Sequence, residues 1–262
     1  MIEPQPNLDN TALFEQLWGI TNELRQKLDN RFELHPDPST KDLQTYSTIT
    51  GDAQGSLNTF SGPEIDWLVH SWIRNPKLGF SNMHLTIWLG PQIRVPHLAF
   101  VFATVPQLFF YMDYVPRTDL YIDLEYLDRY YEPVNQTYLM LQGDSRFEPY
   151  ISKTLYMRQA QSHTSLCYSC PVTENTLSLL SSVAHEMMDR WLTWVDEAEP
   201  VAESERDALS ERDLFVRRAV AERDPDNKIA VRLFGAEMTE KLVRSLWGGD
   251  GAERPLRDRI TE

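Results

Sequence analysis

The sequence predicts one α+β domain in which an antiparallel sheet lies between two helical layers. Three observations support this fold. Apolar residues recur at helical spacing over residues 11–33, alternate with a period of two over residues 82–114, and return to helical spacing after residue 173. The chain of 262 residues is long enough for one large core or two small ones. We assign residues 1–248 to one domain and residues 249–262 to a flexible tail.

The first third of the chain is predicted to be helical and then irregular. One face of the first helix is apolar, at Leu13, Leu17, Ile20, Leu24 and Leu28. The stretch from His35 to Gly62 is rich in Pro, Ser, Thr, Asp and Gly, which predicts mostly loop. The sequence SGPE at residues 61–64 then predicts a short helix through Trp67 and Trp72, which would also contain His70.

The centre of the chain predicts strands. They run from Asn82 to Leu89, from Val95 to Thr104 and from Leu108 to Tyr114, and the short links between them favour an antiparallel meander. Pro106 and Gln107 form a tight connection. Residues 119–123 predict a short strand or an approach to one, and residues 150–162 predict another strand.

The remaining elements are predicted helices. Residues 124–141 are helical with an interruption near Pro133, and Thr173 caps a long helix that ends near Trp194. A highly charged helix covers residues 203–222, and the last helix covers residues 237–247. The order of helices, strands and helices is what places the sheet between two helical layers.

The charge excludes two classes of partner. The net charge is −14 and the isoelectric point is about 4.9, which argues against binding nucleic acid or an anionic membrane surface. No apolar run is long enough to span a bilayer, and the N-terminal residues have neither signal-peptide nor transit-peptide character. Cys167 and Cys170 are spaced CxxC without a second pair, so we interpret them as ordinary reduced thiols.

Familiar catalytic motifs are missing from the sequence. There is no Walker loop, GxGxxG, GxSxG or HExxH, and none of the six histidines has a partner at zinc-binding helical spacing, so we predict no metal site. His84 and His97 lie on adjacent predicted strands and are able to face the same side of the sheet. Each either contributes to a site or hydrogen-bonds a neighbour. Any redox chemistry would need an external electron donor.

Asp224 stands at a predicted break between two helices. Pro225 disfavours helical geometry at the residue before it and is able to begin the next helix. Asp224 is therefore either an N-cap or a carboxyl that points into a cleft, and the local sequence alone favours the cap.

Four segments resemble the red chlorophyll catabolite reductase family, which is related to the ferredoxin-dependent bilin reductases. They are YVPRTDL at residues 114–120, YLDRYY at 126–131, PYISKTLYMR at 149–158, and RDLFVRR at 212–218 running on to LFG at 233–235. They occur in the family's order and span roughly residues 60–248. The resemblance implies a bilin-reductase-like, three-layer α/β/α sandwich with a central antiparallel sheet.

The resemblance also implies an activity. An open-chain tetrapyrrole would lie between the sheet and the C-terminal helices. Reduced ferredoxin would supply single electrons, each followed by a proton, and red chlorophyll catabolite would become primary fluorescent chlorophyll catabolite. No bound metal or organic cofactor is implied, and a homodimer is. The alternatives are a bilin reductase acting on biliverdin and a non-catalytic binder of linear tetrapyrroles.

Site residues follow from the resemblance position by position. Asp224 aligns with the family's C-terminal catalytic aspartate. The resemblance therefore favours a catalytic carboxyl over a helix N-cap at this position. The family's strand acid, five residues after its proline, corresponds to Val101, and no acid lies between Val95 and Met112. Gln161 is polar at a position linked to product stereochemistry. The expected substrate-binding residues are His84, His97, Val101, Arg158 and Gln161.

Ferredoxins are acidic, so this acidic chain would need a local basic patch to dock one. The candidates are Arg146, Lys153, Arg158, Arg217, Arg218, Lys228 and Arg232. They are otherwise scattered counter-charges on helical faces. The chain is expected to act in a bacterial cytoplasm or, as a mature plant-type form, in the plastid stroma.

Overall fold

The computed structural model describes residues 10–104 and 107–249. In these residues nine antiparallel strands form one sheet, in the order β1-β3-β4-β5-β6-β7-β9-β8, with β2 paired to β3. The strands are β1 His35–Pro36, β2 Tyr46–Ser47, β3 Gln54–Ser61, β4 Ile65–Asn75, β5 Phe80–Leu89, β6 His97–Thr104, β7 Leu108–Val115, β8 Glu148–Pro149 and β9 Leu166–Cys170.

Helices cover both faces of the sheet. They are α1 Thr11–Arg31, α2 Leu124–Tyr130, α3 Asn135–Gly143, α4 Leu155–Gln159, α5 Glu174–Asp196, α6 Glu203–Arg223, α7 Asn227–Phe234 and α8 Ala236–Trp247. The main core packs α1 and α5 against one face, where Leu24 and Trp191 are fully buried with Phe100. Val216 of α6 and Leu246 of α8 pack on the other face. The expected three-layer sandwich is confirmed.

The predicted helix after residue 61 is wrong. Residues 65–75 form β4, and the predicted loop before it contains β3. Residues 67–71 of β4 are all buried, because both faces of the strand are covered, so its sequence lacks the alternation that marks a half-buried strand. His70 consequently lies on β4, where its ring stacks on Trp18 of α1 at 4.3 Å between centroids.

The predicted strand over residues 150–162 is also wrong. That segment contains only the five-residue helix α4, and residues 119–123 form a turn before α2. The sheet gains β9 instead, where Cys167 pairs with Tyr111 and Cys170 with Leu108. Residues three apart on a strand point to opposite faces, so the two thiols do not meet. Neither thiol is in a disulfide, which agrees with the interpretation as ordinary thiols, and both are buried.

The other predicted elements are confirmed within a few residues at their ends. They are α1, β5 to β7, the interrupted helix that becomes α2 and α3, and the helices α5, α6 and α8. Pro106 and all of the predicted tail except Gly249 lie outside the described residues. Among the helices that are described, none is both long and apolar enough to cross a membrane.

Thr173 begins α5 with a reciprocal cap. Its hydroxyl accepts from the backbone N–H of Thr176, and the Thr176 hydroxyl accepts from the N–H of Thr173. We expect Thr173→Ala to lower the free energy of unfolding by about 1 kcal/mol, since it leaves helical N–H groups unpaired. Urea denaturation measures this. Thr193→Ala, at an exposed position on the same helix, serves as the control and should cost less than about 0.5 kcal/mol.

Candidate functional site

A partly exposed row of side chains runs across the middle of the sheet on the face that carries α6 to α8. The register places His84 of β5 opposite Val101 of β6, Val101 opposite Tyr111 of β7, and Tyr111 opposite Cys167 of β9. Paired residues of an antiparallel ladder point to the same face. Several residues of this face stay partly exposed although helices cover it. We call this partly exposed part of the face the trough and define it by His84, Thr86, Val101, Ala103, Phe109 and Tyr111.

His97 lies on the same face as His84, as the sequence predicted, but outside the trough. Its ring is buried beneath α6, where Nδ1 accepts from the backbone N–H of Leu89 at 3.0 Å and Nε2 lies 3.3 Å from Oδ1 of Asp213. Burial lowers the pKa of His97 to about 4, against the opposing charge of Asp213. His97 is therefore a neutral core residue near neutral pH, and its part in substrate binding stays a prediction.

A buried ion pair closes this end of the trough. The guanidinium of Arg117 donates from Nε and Nη2 to Oδ2 of Asp213, at 2.9 and 2.6 Å, and from Nη1 to the carbonyl of Gly90 at 3.2 Å. Burial opposes ionisation of Asp213, but His97 and Arg117 outweigh it and hold the pKa of Asp213 at about 2. The pair fixes the middle of α6 to the strand ends.

Arg217, one turn further along α6, is a second anchor. Its Nε donates to the carbonyl of Trp247 at 2.8 Å, and Nη2 lies 2.9 Å from Oδ2 of Asp66. Arg217 is buried, so its inclusion in a basic docking patch is wrong. Anchored at residues 213 and 217, α6 holds its C-terminal end in a fixed position.

We call residues 224–226, where α6 gives way to α7, the corner. Asp224 has extended backbone angles, φ −63° and ψ 123°, as expected before Pro225. Its carboxylate accepts from the backbone N–H of Asp226 at 2.9 Å, so it closes the turn and is not the N-cap of α7, which is Asp226. Burial raises the pKa of Asp224 above its ordinary value of 3.8.

The charges of the corner act on His84 in the trough and on Tyr150 beside it, so the corner lies near the trough. Burial lowers the pKa of His84 to about 4, and the charge of Asp226 opposes that shift. The surrounding protein, and then the Asp224 carboxylate, raise the pKa of Asp226. Both corner carboxylates also raise the pKa of Tyr150, although burial is the larger cause, and the Tyr150 ring meets Phe109 of the trough edge-on at 5.0 Å. Sequence reasoning singled out Asp224 but missed Asp226.

Comparison with known proteins identifies the family. A family model described as red chlorophyll catabolite reductase (RCC reductase) matches residues 18–247, from α1 to the end of α8. The chain belongs to the red chlorophyll catabolite reductase family. The matched residues include the sheet and the C-terminal helices, which lie on the two sides of the trough.

Two relatives and one solved structure accompany this match. Red chlorophyll catabolite reductase 1, chloroplastic, from Oryza sativa subsp. japonica is 26% identical over 221 residues, 78% of this chain and 67% of the relative. Red chlorophyll catabolite reductase from Hordeum vulgare is 26% identical over 197 residues, 70% and 96% of the two chains. The crystal structure of selenomethionine phytochromobilin synthase from tomato in complex with biliverdin superposes with a TM-score of 0.79 at 15% identity, covering 90% of this chain and 85% of that one.

The segment from Tyr150 to Gln161 forms one side of the mouth of the trough. The ring of Tyr156 lies 4.0 Å below the guanidinium of Arg223, which joins α4 to the corner. Arg158 is exposed and donates to the carbonyl of Ser152 at 2.7 Å, while Gln161 lies 3.5 Å from the sulfur of Cys167 at the trough's edge. Of the positions predicted for this red chlorophyll catabolite reductase family member, His84 and Val101 lie in the trough and Gln161 lies beside it, whereas His97 lies outside it. Their roles stay predictions.

An acid that sequence reasoning missed lies beside the trough. Asp113 is one residue beyond the stretch, Val95 to Met112, in which the chain lacks the family's strand acid. It shares the face of Tyr111, because the two are separated by one residue on β7. Strand parity was therefore the signal that could have found it. Within the described residues, no group of three or more His, Cys, Asp or Glu side chains is arranged to hold a metal ion.

Proposed function

We propose that this chain reduces an open-chain tetrapyrrole with electrons from reduced ferredoxin, converting red chlorophyll catabolite into primary fluorescent chlorophyll catabolite. The observation that carries the proposal is the trough: a partly open sheet face with a carboxyl-bearing corner above it, in a member of this family. The family supplies the substrate class, and the geometry supplies the place where the substrate is held.

The trough suits a flat, conjugated molecule. Its floor on β6 consists of the small side chains Val101 and Ala103, with the rings of His84 and Tyr111 on the neighbouring strands. Exposed aromatic and aliphatic residues continue from the mouth at Tyr150, Ile151, Leu155 and Tyr156. Apolar walls with a few polar groups are typical of small-molecule sites. The substrate would slide in from this side and lie against β6.

The chemistry needs protons more than it needs a bound cofactor. Two electrons and two protons convert one double bond of the conjugated system into a single bond, and ferredoxin delivers the electrons one at a time. Asp224 would protonate the reduced tetrapyrrole or hold its pyrrole nitrogens. Its raised pKa favours the protonated form, which is the form that donates.

Ferredoxin docking would use the remaining basic residues. Lys153, Arg158, Lys228 and Arg232 are exposed, whereas Arg146 pairs with Asp144 and Arg218 with Glu222. Lys153 and Arg158 lie on the segment from Tyr150 to Gln161, and Lys228 is two residues beyond the corner, so an acidic donor bound to them would lie close to the substrate. Docking of this kind weakens as salt rises.

The location and assembly of the chain are part of the same proposal. The name of the rice relative includes "chloroplastic", which supports the plastid stroma as the compartment. The resemblance implies a homodimer. Light scattering at assay concentrations measures the molar mass in solution, and the mass of a monomer would contradict the homodimer.

Filling the trough should block the substrate. Val101→Trp places a large ring in the middle of the floor, and we expect it to weaken tetrapyrrole binding about 10- to 100-fold, since overpacking costs about 1–3 kcal/mol. Absorbance titration with red chlorophyll catabolite measures the affinity. Val172→Trp, at an exposed position after β9, is the matched control. Equal affinity in both variants would place the substrate elsewhere.

Anaerobic turnover tests the activity itself. The enzyme is mixed with reduced ferredoxin and with red chlorophyll catabolite or biliverdin in parallel. The proposal predicts loss of the red chlorophyll catabolite absorbance over many enzyme equivalents. Reduction of biliverdin alone would instead identify a bilin reductase, and tight binding without turnover of either compound would identify a non-catalytic binder.

A further inference from the structure

Tyr111 and Asp113 place a buried acid next to the trough, on the sheet side. Tyr111 lies in the central row, opposite Val101, and is partly exposed to the trough. Asp113 is only 1% exposed, and its Oδ2 accepts from the Tyr111 hydroxyl at 2.9 Å. The phenol therefore bridges the buried carboxyl and the place where a substrate would lie.

The carboxyl of Asp113 has further donors around it. Its Oδ2 accepts from the backbone N–H of Ser162 at 2.8 Å, and its Oδ1 accepts from the Ser162 hydroxyl. These contacts hold the turn before β9 and account for a structural role. They do not require the Tyr111 hydroxyl, so the phenol can be removed while the turn is kept.

Protonation of Asp113 would change what Tyr111 does. When the carboxyl is ionised, the Tyr111 O–H is directed to it. When the carboxyl carries a proton, that proton can be donated to the phenol oxygen, and the Tyr111 O–H is free to point into the trough. Burial raises the pKa of Asp113 to about 6, even though Ser162 and Tyr111 donate to the carboxylate, so both states are populated near neutral pH.

The neighbouring titratable groups do not compete for this role. Burial raises the pKa of Cys167 on β9 to about 11, and it raises the pKa values of Tyr114 and of Tyr131, next to α2, well above their ordinary range. On the other side of Val101, burial lowers the pKa of His84 to about 4, so its imidazole is neutral and carries no proton to spare. Burial, and then the Asp113 carboxylate, also raise the pKa of Tyr111 well above its ordinary range, so the phenol can give up its proton only if Asp113 replaces it. Asp113 is therefore the sheet-side acid among these groups.

We propose that Tyr111, recharged by Asp113, is the sheet-side proton donor of the trough, facing Asp224 across the substrate. This inference rests on the proposed tetrapyrrole reduction and deepens it. After ferredoxin gives the tetrapyrrole an electron, Tyr111 transfers a proton to it: the Tyr111 O–H bond breaks, its electron pair stays on the phenol oxygen, and a new bond to hydrogen forms on the tetrapyrrole. The Asp113 O–H bond then breaks and restores the Tyr111 O–H. The net change is one electron from ferredoxin and one proton from Asp113, which water replaces.

Tyr111→Phe tests the donor with little change of shape. We expect turnover of red chlorophyll catabolite to fall about 100-fold or more, with the tetrapyrrole affinity within about twofold, since general acids contribute about 10²–10⁴-fold. Asp113→Asn should cause a similar loss, and the double variant should lose no more than either alone, because the two groups act as one unit. Tyr121→Phe, at an exposed turn, is the matched control.

A rescue separates this role from a structural one. Val101→Glu puts an acid directly opposite residue 111 on the same face. We expect Val101→Glu combined with Tyr111→Phe to turn over at least ten times faster than Tyr111→Phe alone. Under limiting ferredoxin, Tyr111→Phe should also accumulate a one-electron-reduced tetrapyrrole radical, detected by electron paramagnetic resonance. Neither result follows from a merely packing role for the phenol.

The outcomes distinguish this inference from the proposed function. If the unaltered enzyme turns over red chlorophyll catabolite and folded Tyr111→Phe retains more than half of that rate, the relay is wrong and the function stands. If the unaltered enzyme turns over no tetrapyrrole, both fall. Should Asp113→Asn fail to fold, which thermal unfolding reveals, Tyr111→Phe and its rescue still decide.

Discussion

Asp224→Asn is expected to lower tetrapyrrole turnover by about 10²–10⁴-fold while leaving tetrapyrrole binding nearly unchanged. The amide keeps the size of the carboxyl, and its oxygen can still accept from the backbone N–H of Asp226, so the corner keeps its turn. What it loses is the transferable proton. Anaerobic single-turnover rates with reduced ferredoxin, together with absorbance titrations, separate the two effects.

The raised pKa of Asp224 also predicts the direction in which turnover changes with pH. Burial raises the pKa of Asp224 above 3.8, so a larger share of the carboxyl is protonated at any given pH than in an exposed aspartate. If the protonated form donates, turnover falls as pH rises through that raised pKa; Asp224→Asn removes this part of the dependence and leaves the part that Asp113 contributes near pH 6. Asp207→Asn, at an exposed position of α6, is the control. Full activity in Asp224→Asn would exclude the carboxyl as the acid.

Asp213→Ala is expected to lower the free energy of unfolding by about 3–5 kcal/mol. The substitution leaves the guanidinium of Arg117 fully buried without its carboxylate, and it frees the middle of α6 from the strand ends. Urea denaturation near pH 7 measures the change, with Asp207→Ala as the control on the same helix. A loss below about 1 kcal/mol would mean that the pair does not hold α6.

The acid dependence of stability follows from the same cluster. The pKa of Asp213 is about 2 in the folded chain and near 3.8 when exposed, so its contribution is present above pH 3.8 and is lost as pH falls towards 2. His97, with a pKa lowered to about 4 from 6.5, has the same sign, and its neutral form favours folding above pH 6.5. Asp213→Ala should therefore flatten the loss of stability below pH 4.

The sequence predicted those parts of the fold whose patterns are local. Alternation identified β5 to β7, and helical spacing identified α1 and α5. It did not identify β4, because a strand covered on both faces has no alternation to detect. Likewise, β9 is five residues long and follows a segment, 150–162, whose chain is held by turns at Ser152 and Ser162.

The sequence predicted those parts of the candidate site whose position depends on one residue or on strand parity alone. Pro225 located the corner, and counting along β6 put Val101 on the trough face. The burial of His97 depends on Arg117 and Asp213, which are 96 residues apart, so no local pattern announces it. Asp113 was missed because the search for an acid ended at residue 112, although Asp113 has the strand parity of Tyr111.

The most direct test of the whole account is a crystal structure of this chain with red chlorophyll catabolite bound. We predict that the tetrapyrrole lies flat in the trough, in contact with Val101 and Tyr111 on one side and with the corner at Asp224 on the other. A tetrapyrrole bound at another surface, with Val101 and Tyr111 untouched and Asp224 distant from it, would contradict the account.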